Sequence, residues 1–225
     1  DQYYKGRCLV RNKTIICIKD PLPILERFRR KALFSAFIPF LFLKRDAEII
    51  QVEKAPKTKV IIDTSLTTKY TERNETLYKD LASKVKEYCG KDDVCLAVFP
   101  SHEILEEVAN HMGKEKVVKA TSLEKVRFQK GLVVFDVAGG VLSEGVNIPV
   151  TKVIVAGMPY PSPTPVLDVY SKTYGFENVY TYIALLRTFQ AVGRLRARGL
   201  AVLIDKRFHK YIGRFPSWVQ VENVL

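Results

Sequence analysis

The chain has 225 residues and 47% hydrophobic content, which suits one large domain or one domain plus part of another and excludes a disordered chain. Its 36 basic and 24 acidic side chains give a net charge of +12, which favours a polyanionic partner such as nucleic acid over an acidic protein or a neutral ligand. A soluble basic protein from a heat-adapted source is the alternative, since Lys and Glu enrichment also fits such a source.

The apolar residues do not predict a membrane span. The most apolar stretch, at residues 33–43, is interrupted by Ser35 and Pro39 and is too short to cross a bilayer. The first residues lack a basic-then-apolar leader. We therefore expect an intracellular protein, cytoplasmic or associated with the nucleoid.

The cysteine spacing indicates thiols rather than a metal site. The sequence has no C-x-x-C pair and no histidine at zinc-ligand spacing. We expect buried free thiols in a reducing cytoplasm at Cys8, Cys17, Cys89 and Cys95.

The first 45 residues form a first unit with two predicted strands. The runs TIICI at 14–18 and KALFSAF at 31–37 have the β-branched and aromatic content of strands. Pro21 and Pro23 break the chain before a basic helical segment at 24–30.

A second unit begins with a predicted strand at 60–66 and continues into an amphipathic helix. Apolar residues recur at helical spacing from Leu77 to Tyr88, and Gly90 supplies a stop. Three residues before this helix are available to a nucleic-acid phosphate, although a solvated turn explains them equally well: Lys69, Tyr70 and Arg73.

The next predicted strand, at 94–99, leads to a helix at 102–112 that Gly113 closes. Ser101 precedes this helix, where free N–H groups and the positive end of the helix dipole favour a phosphate. Simple capping would also explain the serine.

After a short strand at 117–118 and a short helix at 122–129, residues 132–135 predict a buried strand. Glycines release the backbone beyond its carboxyl end, which is the edge where open α/β sheets bind ligands. Among these glycines, Ser143 offers a hydroxyl and Glu144 a carboxylate that is costly to bury without a partner.

A further strand at 152–156 delivers a proline-stiffened loop at 157–163. Tyr160 in this loop is placed to stack on a base, or alternatively to pack on the neighbouring prolines.

A long helix is predicted from about residue 179, with Gln190 and Arg194 facing outward and suited to phosphate binding. Its predicted inner face consists of Ile183, Leu186, Phe189 and Ala191 or Val192. The last predicted strand lies at 200–204. Repeated strand and helix patterns of this kind predict an α/β fold, a parallel sheet with helices on both faces.

Four blocks stand out in order along this second unit: GGVLSEGVN at 139–147, GMPYP at 157–161, QAVGR at 190–194 and DKRF at 205–208. In order and approximate spacing they resemble motifs of superfamily 2 helicases of the XPD/DinG branch. The resemblance implies a RecA-like, P-loop NTPase-like C-terminal motor domain that lacks its own Walker A motif. The chain contains neither G-x-x-x-x-G-K-[ST] nor D-E-x-H, which agrees with a second motor domain only.

The resemblance also divides the chain. Ser35-Ala36-Phe37 falls where the family has motif III, with Phe37 replacing its threonine. Residues 1–45 would then be a remnant of the end of the first motor domain, and 46–225 the second motor domain. The family often carries a four-cysteine iron–sulfur cluster in its first motor domain, but these spacings do not reproduce it, so we expect none here.

The resemblance implies hydrolysis of ATP with Mg²⁺ between this domain and a first motor domain, along single-stranded DNA. Arg194 and a following arginine would neutralise the γ-phosphate, Gln190 would position the phosphate or water, and Glu144 would couple this site to DNA. The implied catalytic residues are Glu144, Gln190, Arg194 and Arg198. The implied nucleotide-binding residues are Gly140, Ser143, Gly145, Asn147 and Gly193. The implied DNA-binding residues are Lys69, Tyr70, Arg73, Ser101 and Tyr160.

The last arginine block departs from the family pattern. That pattern would put its second arginine at Ala197, whereas here Arg196 and Arg198 flank that position, and the stretch 194–205 is shorter than in the family. We assign the role to Arg198.

Three functions are compatible with these sequence features. The leading one is the motor half of an ATP-dependent DNA helicase, associated with repair and inactive alone. The second is a catalytically silent nucleic-acid-binding module, favoured by the missing Walker motifs and the altered motif III. The third, an unrelated nucleotide-binding α/β enzyme, is disfavoured by the four ordered blocks.

Overall fold

The computed structural model describes residues 57–113, 117–119, 128–143, 149–195 and 199–225, together with the backbone of two strands near the start of the chain. Those strands, β1 (Arg7–Arg11) and β2 (Thr14–Ile18), form an antiparallel hairpin. The strand predicted at 14–18 is confirmed, whereas β1 was not predicted. The elements predicted at 24–30 and 31–37, and most of the helix predicted at 122–129, lie outside the described residues.

In the described part of the chain, seven strands form one sheet whose neighbouring strands all run parallel. In chain order they are β3 (Thr58–Asp63), β4 (Val94–Phe99), β5 (Val117–Lys119), β6 (Leu132–Val137), β7 (Lys152–Ala156), β8 (Leu200–Ile204) and β9 (Val219–Val224). Their order across the sheet is β5-β6-β4-β7-β8-β3-β9. The predicted parallel α/β class is confirmed, although the sequence pattern did not reveal β9.

Four α-helices accompany the sheet within the described residues: α1 (Glu75–Tyr88), α2 (His102–His111), α3 (Pro165–Tyr174) and α4 (Tyr182–Val192). The first three begin with a capping side chain, since Asn74, Ser101 and Thr164 each accept a hydrogen bond from the N–H three residues later. Short 3₁₀ turns follow β3 and β8, at Tyr70–Glu72 and Lys206–Arg214. The helix α3 was not predicted.

Each face of the sheet has its own apolar core. On β4, Leu96 and Val98 face the core that includes Phe189 of α4, whereas Ala97 and Phe99 face the core beneath α1 and α2. Every residue of β4 is buried, as expected for a central parallel strand covered on both faces. This arrangement confirms the prediction of helices on both faces.

The predicted inner face of the long helix is partly wrong. Phe189, Ala191 and Val192 are buried, but Ile183 and Leu186 are only partly buried. The buried positions earlier in α4 are Ala184, Leu185 and Thr188. The physical reason is that α4 carries apolar residues on more than one face, so the spacing of Ile183 and Leu186 does not identify the buried face.

The prediction of free thiols is wrong for two cysteines. Cys89 and Cys95 form a disulfide across a Cα–Cα distance of 6.1 Å, which joins the end of α1 to β4. The chain reverses direction between them, where the Asp93 N–H donates to the Gly90 carbonyl at 3.0 Å. Spacing alone does not reveal such a reversal.

Candidate functional site

A buried carboxylate, Asp205, joins three loops at the carboxyl edge of the sheet. It directly follows β8 and accepts hydrogen bonds from the Thr68 N–H at 2.9 Å and the Met158 N–H at 3.3 Å. Arg207 completes the group with contacts of 2.8 Å from Nε and 2.7 Å from Nη2. The loops after β3, β7 and β8 are therefore held as one unit.

The charge of Asp205 is maintained by these contacts. Burial alone would raise the pKa of its carboxyl, but the hydrogen bonds and positive charge of Arg207, with the N–H groups of Thr68 and Arg207, bring that pKa below its ordinary value. Arg207 also donates to the Thr68 hydroxyl at 2.9 Å. The result is a neutralised, fully hydrogen-bonded pair rather than an isolated buried charge.

Gly157 allows the loop after β4 to pack against the three loops that Asp205 joins. Gly157 has φ +108°, and a Cβ at this position would lie 2.4 Å from both Thr68 Cγ2 and Thr68 Oγ1 and 2.9 Å from Pro100 Cγ. Only a residue without a side chain permits this approach. We call the four joined loops, residues 64–73, 100–101, 157–163 and 205–207, the carboxyl-edge cluster.

The predicted DNA-binding residues that precede α1 lie on the outside of this cluster. Lys69 is exposed, and Tyr70 is 79% exposed. The Arg73 guanidinium lies 5.4 Å from the centroid of the Tyr70 ring and donates from Nε to the Thr68 carbonyl at 3.1 Å. The structure thus brings these three residues together on a solvent-facing surface.

The segment that bears these residues contacts the start of α2. Arg73 forms an ion pair with Glu103 at 3.5 Å, two residues after Ser101. The Ser101 hydroxyl oxygen accepts the Ile104 N–H at 3.4 Å, the capping contact that was the alternative explanation for this serine. Ser101 therefore lies beside the predicted DNA-binding surface while capping its own helix.

Tyr160, the other predicted DNA contact, is half-buried. The Arg207 guanidinium lies 5.2 Å from its ring centroid, and its ring stacks with Phe176 at 6.4 Å. Its hydroxyl lies 3.4 Å from the Thr181 hydroxyl, and burial raises the pKa of the Tyr160 hydroxyl to about 12. These three neighbours hold the ring in the described part of the chain.

The glycine turn, residues 138–143, is organised by a second buried carboxylate. Asp136 Oδ2 accepts the N–H groups of Leu142 and Ser143, each at 2.9 Å. A Cβ at Gly140 would lie 2.1 Å from Asp136 Oδ1, so the close packing of this carboxylate accounts for the glycine. The Ser143 hydroxyl is buried and donates toward the carbonyls of Val137 and Gly140 at 3.1 and 3.0 Å.

The predicted arginine site contacts the glycine turn. Arg194, two residues after the end of α4, donates from Nε to the Ser143 carbonyl at 3.2 Å. Gln190 lies in the last turn of α4 and is partly exposed, whereas Gly193 directly follows the helix and is exposed. The structure therefore joins two of the blocks that the sequence pattern singled out.

Arg194, just after the end of α4, reaches the Ser143 carbonyl of the glycine turn. A Cβ at Gly199 would lie 2.5 Å from Leu195 Cδ2 and 2.9 Å from the Thr151 carbonyl oxygen, so α4 ends beside the starts of β7 and β8. Four predicted site residues lie outside the described residues: Glu144, Gly145, Asn147 and Arg198.

Sequence reasoning assigned no site role to the two residues that organise the site, Asp136 and Asp205, although Asp205 begins the DKRF block. Their signal was available, because each is a carboxylate within or directly after an apolar strand, where an unpaired charge would be costly. What the sequence did not reveal was the identity of their partners.

A cavity of about 350 Å³ opens beside the carboxyl-edge cluster, between Thr67, Asn74 and Lys206. Lys206 forms an ion pair with Glu72 at 3.2 Å on its rim. Among the described residues, no three His, Cys, Asp or Glu side chains converge as a metal site, and no helix is long and apolar enough to cross a membrane.

Comparison with known proteins places this geometry in a family. The model of the helicase C-terminal domain matches residues 85–222. The ATP-dependent DNA helicase XPD of Sulfolobus acidocaldarius is 26% identical over 230 residues, covering 92% of this chain and 41% of that protein. The chain thus spans less than half the length of this relative.

Solved structures share the fold. The structure of S. tokodaii Xpd4 superposes with a TM-score of 0.65 at 18% identity, covering 92% of this chain and 48% of the other. A structure titled XPD helicase gives a TM-score of 0.61 at 21% identity, covering 77% of this chain and 37% of the other. The chain therefore belongs to the helicase C-terminal domain family, as a RecA-like domain distantly related to XPD-type helicases.

Proposed function

We propose that this chain is the second motor domain of an XPD-type ATP-dependent DNA helicase, binding single-stranded DNA and supplying an arginine finger for ATP hydrolysis. One observation carries the proposal: Arg194 donates to the Ser143 carbonyl at 3.2 Å, which joins the QAVGR block to the glycine turn. Intracellular DNA repair is the setting we propose for the complete motor.

The proposed chemistry at Arg194 is electrostatic. Phosphoryl transfer spreads negative charge over the γ-phosphate oxygens, and a guanidinium held in place stabilises that charge in the transition state. The Nε contact with Ser143 supports this role because it fixes the plane of the guanidinium. Gln190, one helical turn before Arg194, would position the phosphate or the attacking water.

The other proposed nucleotide-site residues complete this surface. Glu144 and Arg198 would act with Arg194, and the backbone around Gly140, Ser143 and Gly193 would border the nucleotide. Gly145 and Asn147 are proposed on sequence alone. Mg²⁺ would neutralise the phosphates, with its protein ligands supplied by the first motor domain.

The proposed DNA surface is the carboxyl-edge cluster. Lys69, Arg73 and the exposed Tyr70 combine positive charge with an aromatic face, the combination that suits single-stranded nucleic acid. Ser101 borders this surface through the contact between Arg73 and Glu103. Tyr160 is proposed as a further, partly covered contact.

The experiment that tests the proposal compares ATP turnover by the chain alone with turnover by the chain combined with a first motor domain of the XPD type. We expect DNA-stimulated turnover only in the combined sample, because this sequence has no Walker A motif. A chain that binds single-stranded DNA but gives no stimulation in either sample would instead be a catalytically silent nucleic-acid-binding module. A Walker A motif in the coding sequence upstream of Asp1 would support the motor.

A further inference from the structure

Asp136 carries a charge that the proposed reaction does not itself use. The residue lies near the end of β6 and is 4% exposed. A buried carboxylate requires strong hydrogen-bond donors to offset its desolvation. The identity of those donors shows which part of the chain the Asp136 carboxylate holds in place.

Within the described residues, the hydrogen-bond donors to Asp136 all belong to the backbone of the next seven residues. Oδ1 accepts the Val137 N–H at 2.8 Å, and Oδ2 accepts the N–H groups of Leu142 and Ser143 at 2.9 Å each. Two successive N–H groups on one oxygen fix the course of the chain at Ser143. The carboxylate therefore sets the direction in which the Ser143 peptide is presented.

The Ser143 carbonyl is a group that holds Arg194. It accepts Arg194 Nε at 3.2 Å, and Nε lies in the guanidinium plane, so this contact sets the orientation of the whole group. The turn has little freedom to adjust. Asp136 packs where a Cβ of Gly140 would be, and Ser143 is itself fully buried.

We infer that Asp136 is a positioning residue for Arg194, acting through the glycine turn and the Ser143 carbonyl. The inference rests on the proposed role of Arg194 in ATP hydrolysis and adds a residue outside the four sequence blocks. It assigns to Asp136 an effect on turnover that loss of fold stability does not explain.

The test uses the chain combined with a first motor domain and measures DNA-stimulated ATP turnover. Asp136→Ala is expected to lower kcat at least tenfold, with KM for ATP changed less than about threefold, because an interaction that acts in the transition state is lost. Asp136→Asn retains an oxygen that can accept from Leu142 and Ser143, so it should recover turnover to within about threefold of the parent.

Asp93→Ala is the matched control. Asp93 is likewise a hydrogen-bonded carboxylate, though only partly buried. It accepts from the Gly90 N–H at 3.0 Å and pairs with Lys152 at 2.8 Å, but it precedes β4 at the opposite edge of the sheet. We expect its turnover per folded molecule to stay within twofold of the parent. If Asp136→Ala does not fold, Gly140→Ala replaces it, since its methyl group displaces the carboxylate without removing it.

Repeating the Asp136→Ala substitution in an Arg194→Lys variant distinguishes a positioning effect on Arg194 from a general loss of activity. In Arg194→Lys, which lacks Nε, the effect of Asp136→Ala should shrink below about twofold, because coupled residues are not additive. The same tenfold loss in both backgrounds, or no loss in the parent, would overturn the inference. If Arg194→Lys itself leaves turnover unchanged, the proposed function fails instead.

Discussion

The Asp205 carboxylate and the Thr68 N–H lie 2.9 Å apart although 137 residues separate them in the chain. The contact joins the loop after β3 to the loop after β8, two strands that are direct neighbours in the sheet. Arg207 bonds to both partners, so charge and hydrogen bonding are satisfied together. The carboxyl-edge cluster is therefore a preformed surface rather than a set of independent loops.

Gly157→Ala should disrupt this surface. The new methyl group would lie 2.4 Å from Thr68 side-chain atoms and 2.9 Å from Pro100 Cγ, in a backbone conformation with φ +108°. Overpacking and the left-handed conformation together should cost about 3 kcal/mol in the free energy of unfolding. Urea unfolding followed by circular dichroism measures this loss.

The matched control is Gly113→Ala. Gly113 also has positive φ, +71°, but beyond its chain neighbours no atom of the described residues lies within 4 Å of an added Cβ. The substitution should therefore cost only about 1 kcal/mol, the conformational part. Equal losses at the two glycines would show that the close approach to Thr68 and Pro100 contributes nothing.

Lys69→Ala should reduce the salt dependence of single-stranded DNA binding. Each phosphate contact made by a lysine contributes about 0.7 to the slope of log K against log salt for single strands. Fluorescence anisotropy at several salt concentrations gives the slope for parent and variant. Lys130→Ala is the control, because this exposed lysine precedes β6 at the opposite edge of the sheet. A slope that drops equally in both variants would argue against a specific contact at Lys69.

Local sequence patterns sufficed for much of the fold. The strand predicted at 152–156 coincides with β7, because a β-branched run bounded by polar residues and glycine has few alternatives. The capping roles of Ser101 and Gly113 were likewise readable, since they depend on neighbours within one helical turn. Elements whose signals are local were therefore predictable.

Contacts set by topology were not predictable. Nothing near Asp205 in the chain indicates Thr68, and the disulfide between Cys89 and Cys95 depends on a turn whose geometry the spacing does not encode. The predicted buried face of α4 was partly wrong because apolar residues occur on more than one face of this helix. The meeting of Arg194 and Ser143 was expected only by resemblance to helicases.

Asp63 should make the protein sensitive to acid. Burial alone would raise the pKa of its carboxyl, but hydrogen bonds from Ser65, Tyr88 and Lys84 bring that pKa down to about 2. Since the folded pKa lies below the ordinary value of 3.8, Asp63 stabilises the fold fully above that value, and its contribution is lost as the pH falls toward 2.

Asp63→Asn should therefore flatten the decline in the free energy of unfolding between about pH 5 and pH 2. At neutral pH the variant should be less stable by about 2 kcal/mol, since it lacks the charge-assisted bond from Lys84. Urea titrations at several pH values test both effects. Asp92→Asn, an 89% exposed carboxylate, should leave the acid limb unchanged.

Arg194→Ala should abolish ATP turnover by the combined motor, with a loss of at least a hundredfold in kcat. If Arg194 stabilises the transferred phosphate as proposed, removing its guanidinium raises the energy of the transition state, while the proposed DNA contacts at Lys69, Tyr70 and Arg73 stay in place. Binding of single-stranded DNA and its dependence on salt should therefore remain close to those of the parent.

Arg214→Ala controls for the loss of one positive charge. This exposed arginine lies 4.0 Å from Glu177 and, within the part of the chain that the structure describes, does not contact the glycine turn, so its removal should leave turnover within about twofold of the parent. Loss of both turnover and DNA binding in a folded Arg194→Ala variant would instead identify Arg194 as mainly a DNA contact. In that outcome the Ser143 carbonyl would orient a group toward nucleic acid, and the nucleotide site of the motor would have to rely on other arginines of this chain or its partner domain.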